Sequence, residues 1–215
     1  FLEHLSLEQV KVLISEVLRI LKPNGVFRVV VPDLEGICKE YLNVLSELDT
    51  HKEDERKYEW IVTELIDQLV RLENGGRMGE LFNEVVARND IDLADYILKR
   101  TGDDLFGENP KEKIPLTFDK VKNKILYLYL NFIRLLIPKN LRNLVFVNTS
   151  IGERHQWMYD RYSMTNLLKK KGFNDVSVEQ FNTSKIENFN NYMLDIKPDG
   201  TPYKGDSSIY IEAIK

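Results

Sequence analysis

The chain has 215 residues, of which 43% are hydrophobic, with a single cysteine and a net charge of −4. That is enough apolar material to bury a core, in one domain with a large insertion, and the scattered basic residues argue against a nucleic-acid partner. One cysteine excludes an internal disulfide and fits a reducing compartment, so the chain reads as cytoplasmic.

Ser6-Leu7-Glu8-Gln9 forms a capping box, in which Ser6 accepts from the N–H of Gln9 and Gln9 reaches back. Val10, Leu13, Ile14, Val17, Leu18 and Leu21 then recur at helical spacing until Pro23-Asn24-Gly25 turns the chain. Val26 to Asp33 is short, β-branched and mostly apolar, which predicts a strand of a parallel sheet buried on both faces. Asp33 ends that strand, where it would orient a bound molecule or cap the helix beginning near Glu35.

Residues 35–145 read as helical. Ile37, Tyr41, Val44, Leu45 and Leu48 mark one amphipathic helix, and Trp60, Ile61, Leu65, Ile66, Leu69, Val70 and Leu72 mark a second that ends at Asn74-Gly75-Gly76. Leu81, Phe82, Val85 and Val86 mark a third, and Leu93, Ala94, Ile97 and Leu98 a fourth. Cys38 falls in an apolar helical pattern and reads as an inert packed thiol. His51 sits in a charged run and reads as a solvated surface residue. Residues 125–137 are apolar almost all round; at about 20 Å they are too short to cross a bilayer core of about 30 Å. A buried helix, a dimer face and an element lying at a membrane surface, flanked by Lys122, Lys124, Lys139 and Arg142, all fit that pattern.

Gly152 to Asp160 carries a dense group of polar and aromatic residues: Glu153, Arg154, His155, Trp157, Tyr159 and Asp160. A helix from about Tyr162 to Lys171 follows, with Asp160 placed to cap it and Trp157 to pack beneath it. Val176 to Phe181 and Ser208 to Ile214 alternate as half-buried strands. Their linker is too long for a hairpin turn.

The order of strand end, helix, Lys22-Pro23-Asn24-Gly25 turn and strand, with Glu3-His4-Leu5 ahead of the helix and Val31-Pro32-Asp33-Leu34 after it, resembles the second half of the class I S-adenosylmethionine-dependent methyltransferases, particularly the small-molecule group called type 11. Gly152 to Asp160, with Ser163, Leu167-Leu168, Gly172-Phe173 and the closing strand pair, is similar to the C-terminal part of methyltransferases that accompany surface-polysaccharide synthesis. Asp67 to Arg71 and Gly75 to Met78 resemble another segment of that group. The resemblance covers about half of the chain. It implies an α/β fold with a partial Rossmann-like sheet: the fifth, seventh and sixth strands plus the end of the fourth, the final strand inserting antiparallel between the other two. Residues 1–34 and 146–215 would form this C-terminal half, and 35–145 a lid or substrate-recognition insertion, the alternative being a helical layer that merely packs.

That family holds its cofactor on a glycine-rich loop after the first strand, with an acidic residue ending the second. Neither is present in these residues, so the chain reads as methyltransferase-like without its N-terminal nucleotide-binding half. S-adenosylmethionine is implied as cofactor, without tight binding by this chain alone, with Leu2, Glu3 and His4 beside it. A small molecule or glycan is the implied acceptor, and no metal site is expected. A methyl transfer to a hydroxyl needs positioning and a general base. His4, at the sheet's carboxyl edge, and His155, in the polar cluster, are the candidates; Asp33, Arg154, Trp157, Tyr159 and Asp160 are candidate acceptor contacts, and Tyr192, Asp195 and Tyr203 lie in nearby loops. Two other readings compete: an inactive binding or assembly module that keeps the fold, and a helical interaction or membrane-surface protein. A severed sheet edge at Val26 to Val31 and the apolar 125–137 segment point to self-association.

Overall fold

The computed structural model describes residues 1–48, 55–107, 118–139, 141–142 and 154–215. His51, Glu153 and the 143–153 segment therefore lie outside the described residues. A 3₁₀ turn at Leu2–His4 leads to helix α1, Leu7–Ile20, whose Ser6/Gln9 capping box forms as expected. Asn24, at φ +61°, turns the chain after α1. The turn is stitched to the chain's end, the Asn24 N–H donating to the Lys215 carbonyl and the Lys215 N–H to that of Gly25.

Strand β1, Val26–Pro32, pairs antiparallel with β3, Ser208–Ile214, and β3 pairs antiparallel with β2, Asn174–Glu179. The three-stranded sheet has the order β1-β3-β2. Since both outer strands run against β3, they run parallel to each other. The final strand is inserted between them, as anticipated.

Strand register divides the sheet into two unlike faces. Val29 lies opposite Ile211 and Val31 opposite Ile209. With Ala213 these side chains meet Val10 and Ile14 of α1 and Met164, Leu168 and Phe173 in and after helix α7, Arg161–Lys170, in one apolar core. Burying each such side chain contributes roughly 1.5–3 kcal/mol. The opposite face carries Arg28 facing Glu212 and Val30 facing Tyr210. Burial on both faces of β1 was expected to be apolar; instead one face is closed by a charged cluster under the 180–207 loop. Strand β3 is correspondingly not half-buried but buried on both faces, Glu212 being fully covered.

Four helices follow β1 with cores of their own: α2 (Leu34–Leu48), α3 (Glu55–Val70), α4 (Gly76–Arg88) and α5 (Ile91–Thr101). Trp60, Leu81, Val85, Leu93 and Ile97 form one cluster, and Ile37, Val44 and Ile61 another. Cys38 on α2 is half-buried. The end of α5 is bonded to the loop before β3, with the Asp206 N–H donating to the Lys99 carbonyl at 3.0 Å and the Ser207 N–H to that of Arg100 at 2.9 Å. These bonds satisfy helix-terminal carbonyls that have no intrahelical partner. They also fasten the helical layer to the sheet.

Helix α6, Phe118–Leu136, contains most of the 125–137 segment and corrects the buried-helix reading of it. Ile125, Leu128, Tyr129, Phe132, Leu135 and Leu136 are each more than half exposed. The reason is supply: the sheet and helices α2–α5 complete their cores without this helix, which is held beside them by Arg134 near Glu73 at 3.7 Å. Among the described residues, no helix is long and apolar enough to cross a membrane.

Candidate functional site

A cavity of about 380 Å³ opens where the carboxyl end of β1 meets the helical layer. Val30, Val31 and Pro32 form its sheet side, Glu64, Gln68 and Arg71 its helical side, and Glu3, His4 and His155 its polar end. The residues from 1–5 and from 154–157 reach that end because their backbones interlock. The N–H groups of Gln156 and Trp157 both donate to the Glu3 carbonyl, at 2.7 and 3.3 Å, and the Gln156 side-chain amide donates to the His4 carbonyl at 3.0 Å. The His155 N–H donates to the Gln68 carbonyl at 2.8 Å, joining the same strip to α3.

The two candidate bases thus stand side by side, ring centroids 4.7 Å apart and nearly perpendicular. His4 Nδ1 lies 3.2 Å from the Arg154 carbonyl. A carbonyl can only accept, so Nδ1 carries a proton. The other ring nitrogen, Nε2, faces Glu3 Oε1 at 3.4 Å.

His155 is 5% exposed. Burial drives its pKa down to about 4 against the pull of the Glu3 carboxylate, so the ring is neutral near pH 7.

The remaining sequence candidates are not among the cavity's lining residues. Leu2 is buried in the sheet core, and so is the Tyr159 ring, 2% exposed, with its hydroxyl unpartnered among the described residues. Asp33 accepts from the Glu35 N–H at 3.1 Å, and Asp160 accepts from the Ser163 N–H at 2.7 Å in a capping box, so both carboxylates terminate helices. The cap reading of Asp160 is the one that the geometry realises. Arg154 is exposed, donating to the Leu69 carbonyl at 2.9 Å, and Trp157 is 45% exposed instead of packing beneath α7. Asp195 lies on the far sheet face with Arg28, and Tyr192 and Tyr203 are exposed.

Sequence reasoning missed Glu64, Gln68 and Arg71 as cavity residues. The signal was the Asp67 to Arg71 and Gly75 to Met78 pair, singled out by resemblance alone. In the structure they are one device: Asp67 pairs with Arg71 and accepts the Arg77 N–H at 2.7 Å. A Cβ on Gly76 would lie 2.5 Å from the Asp67 carboxylate, and Gly76 has φ +54°, so glycine alone fits. Glu64 is held by Arg100 at 2.7 Å and by the Trp60 indole N–H at 3.1 Å, a buried pair that no periodicity announces.

Comparison with protein-family models, with curated proteins and with solved structures finds no match.

Proposed function

We propose that these residues form the acceptor-side part of a class I S-adenosylmethionine-dependent methyltransferase domain that acts on a small molecule or a glycan. The observation that carries this reading is the strand order β1-β3-β2, with the last strand antiparallel between two mutually parallel strands. It is the arrangement that the sequence resemblance assigns to the fifth, seventh and sixth strands. A supporting observation is the position of the cavity at the carboxyl end of β1, where open α/β sheets bind ligands.

In this reading the cavity holds the acceptor. About 380 Å³ suits a molecule of sugar size, and Gln68 and Arg71 offer hydrogen bonds to hydroxyl groups. His155, neutral and buried at the polar end, takes the proton from the acceptor as the methyl group is transferred. The helical layer keeps the pocket dry and shaped. S-adenosylmethionine would supply the methyl group when bound, and the chain's own residues would contribute mainly the alignment of the acceptor.

A second reading, a binding or assembly module of the same fold without catalysis, is favoured by the apolar face that α6 exposes. Titration calorimetry with S-adenosylmethionine separates the two. The reading expects a Kd weaker than about 1 mM for this chain alone and a micromolar value for the protein translated from its complete reading frame. Micromolar binding by the chain alone would contradict the division of the fold, and no binding by the complete protein would leave the module reading.

A further inference from the structure

We propose that Glu3, His4 and His155 form a binding site for a divalent transition-metal ion of the zinc type, with a coordination position open to the cavity. One donor atom from each residue lies within 4.8 Å of the other two. Zinc bound at roughly 2.0–2.2 Å in tetrahedral geometry places neighbouring ligand atoms roughly 3.4 Å apart. Glu3 Oε1 and His4 Nε2 already stand 3.4 Å apart. One ring nitrogen of His155 lies within 4.8 Å of both, so binding draws it inward.

Three further features suit a ligand set and not a mere contact between polar side chains. His4 Nδ1 faces the Arg154 carbonyl at 3.2 Å while Nε2 faces the site, the outer-shell arrangement typical of metal-bound imidazoles. His155 is more than nine-tenths buried and stands at the cavity's polar end. The backbone bonds from residues 156 and 157 to Glu3, and from His155 to Gln68, bring the backbones of the ligand residues together before any ion arrives.

The Glu3 carboxylate presents Oε1 to the site, so the ligand set is two imidazole nitrogens and one carboxylate oxygen. Three protein ligands and an open position are the pattern of catalytic and not of structural zinc. Facing the cavity, the cation would bind an acceptor hydroxyl and lower its pKa, replacing the imidazole as the activating group. Metal binding is independent of the methyl-transfer reading; only that use of the ion rests on it.

The test is calorimetric titration of the metal-free chain with Zn²⁺, together with visible spectra after addition of Co²⁺. One equivalent of Zn²⁺ should bind with a Kd of about 10 μM or tighter, and Co²⁺ should give the intense ligand-field bands of low-symmetry coordination. Glu3→Gln, His4→Ala and His155→Ala should each weaken Zn²⁺ binding by about thirtyfold or more and abolish the cobalt bands, while His51→Ala changes neither. Circular dichroism checks the fold of each variant; should the buried His155→Ala fail to fold, Glu3→Gln and the partly exposed His4→Ala decide. Zinc binding weaker than about 10 μM, or an affinity that these substitutions leave unchanged, would overturn the proposal.

Discussion

Arg28 on β1 and Glu212 on β3 face each other across the sheet, Nη1 to Oε1 at 2.8 Å, with side chains 6% and 0% exposed. The guanidinium also donates to Asp195 at 2.7 Å and to the carbonyls of Thr183 and Gln180, and it lies over the Phe189 ring at 4.4 Å. Glu212 in turn accepts from Ser184 and from the Lys185 N–H. One buried ion pair therefore organises the long linker between β2 and β3 into a lid over the second sheet face. Arg28→Met should strip Glu212 of its cation and cost about 3 kcal/mol of stability, read by denaturant unfolding. A loss within 0.5 kcal/mol would show that the linker closes this face without the pair.

The junction between the helical layer and the sheet rests on close backbone approach. A Cβ at Gly205 would lie 2.4 Å from the carbonyl carbon and oxygen of Arg100 and from the carbonyl oxygen of Lys99, all backbone atoms. Gly205→Ala should destabilise the protein by about 2 kcal/mol and loosen the N–H groups of Asp206 and Ser207, which amide hydrogen exchange would detect. An unchanged melting temperature would mean that the junction yields freely.

Asp160 separates a structural from a binding role. As the N-cap of α7, its replacement by Ala should cost about 1 kcal/mol in stability, while Asp160→Ser, which can still cap, restores most of it. Thermal melts of the two variants check the ranking, and equal losses would point to a role for the carboxylate beyond capping.

Self-association follows from two exposed features. Among the described residues no strand pairs with the free edge of β1 along Val26 to Pro32, and α6 exposes Leu128, Phe132 and Leu135. Contiguous apolar surface of this kind is normally covered by a partner. Sedimentation velocity at micromolar concentration should give a dimer or larger species, and Leu128→Glu with Phe132→Glu should return it to monomer. A monomeric parent chain would refute this.

Much of the framework was legible because it is written in local chemistry. The Ser6/Gln9 box, the Pro23-Asn24-Gly25 stop, the alternation of β3 and the four helical periodicities each depend on neighbouring residues, and the elements formed close to where expected, except that the second helix ends at Val70, short of Leu72 and the Asn74-Gly75-Gly76 stop. The burial of β1 and β3 was misjudged because Arg28 and Glu212 are polar by type yet buried against each other; only the register that pairs them reveals it. Helix α6 carries a pattern that suits core or interface equally, and the choice depends on how much core the rest of the chain completes. At the site, both histidines were singled out, yet their contact depends on a strip of backbone bonds spanning about 150 residues of sequence, |i−j| being 150 for His4 and Arg154. Caps and acceptor contacts also use the same carboxylates, which is why Asp33 and Asp160 carried both readings until their partners were known.

The most direct measurement is transfer of a labelled methyl group from S-adenosylmethionine to a panel of sugars and small hydroxylated acceptors, by the protein translated from its complete reading frame. The account predicts transfer that falls by about 10² or more in His155→Ala, with the fold retained. Absence of any transfer together with absence of cofactor binding, or transfer indifferent to His155, would contradict it.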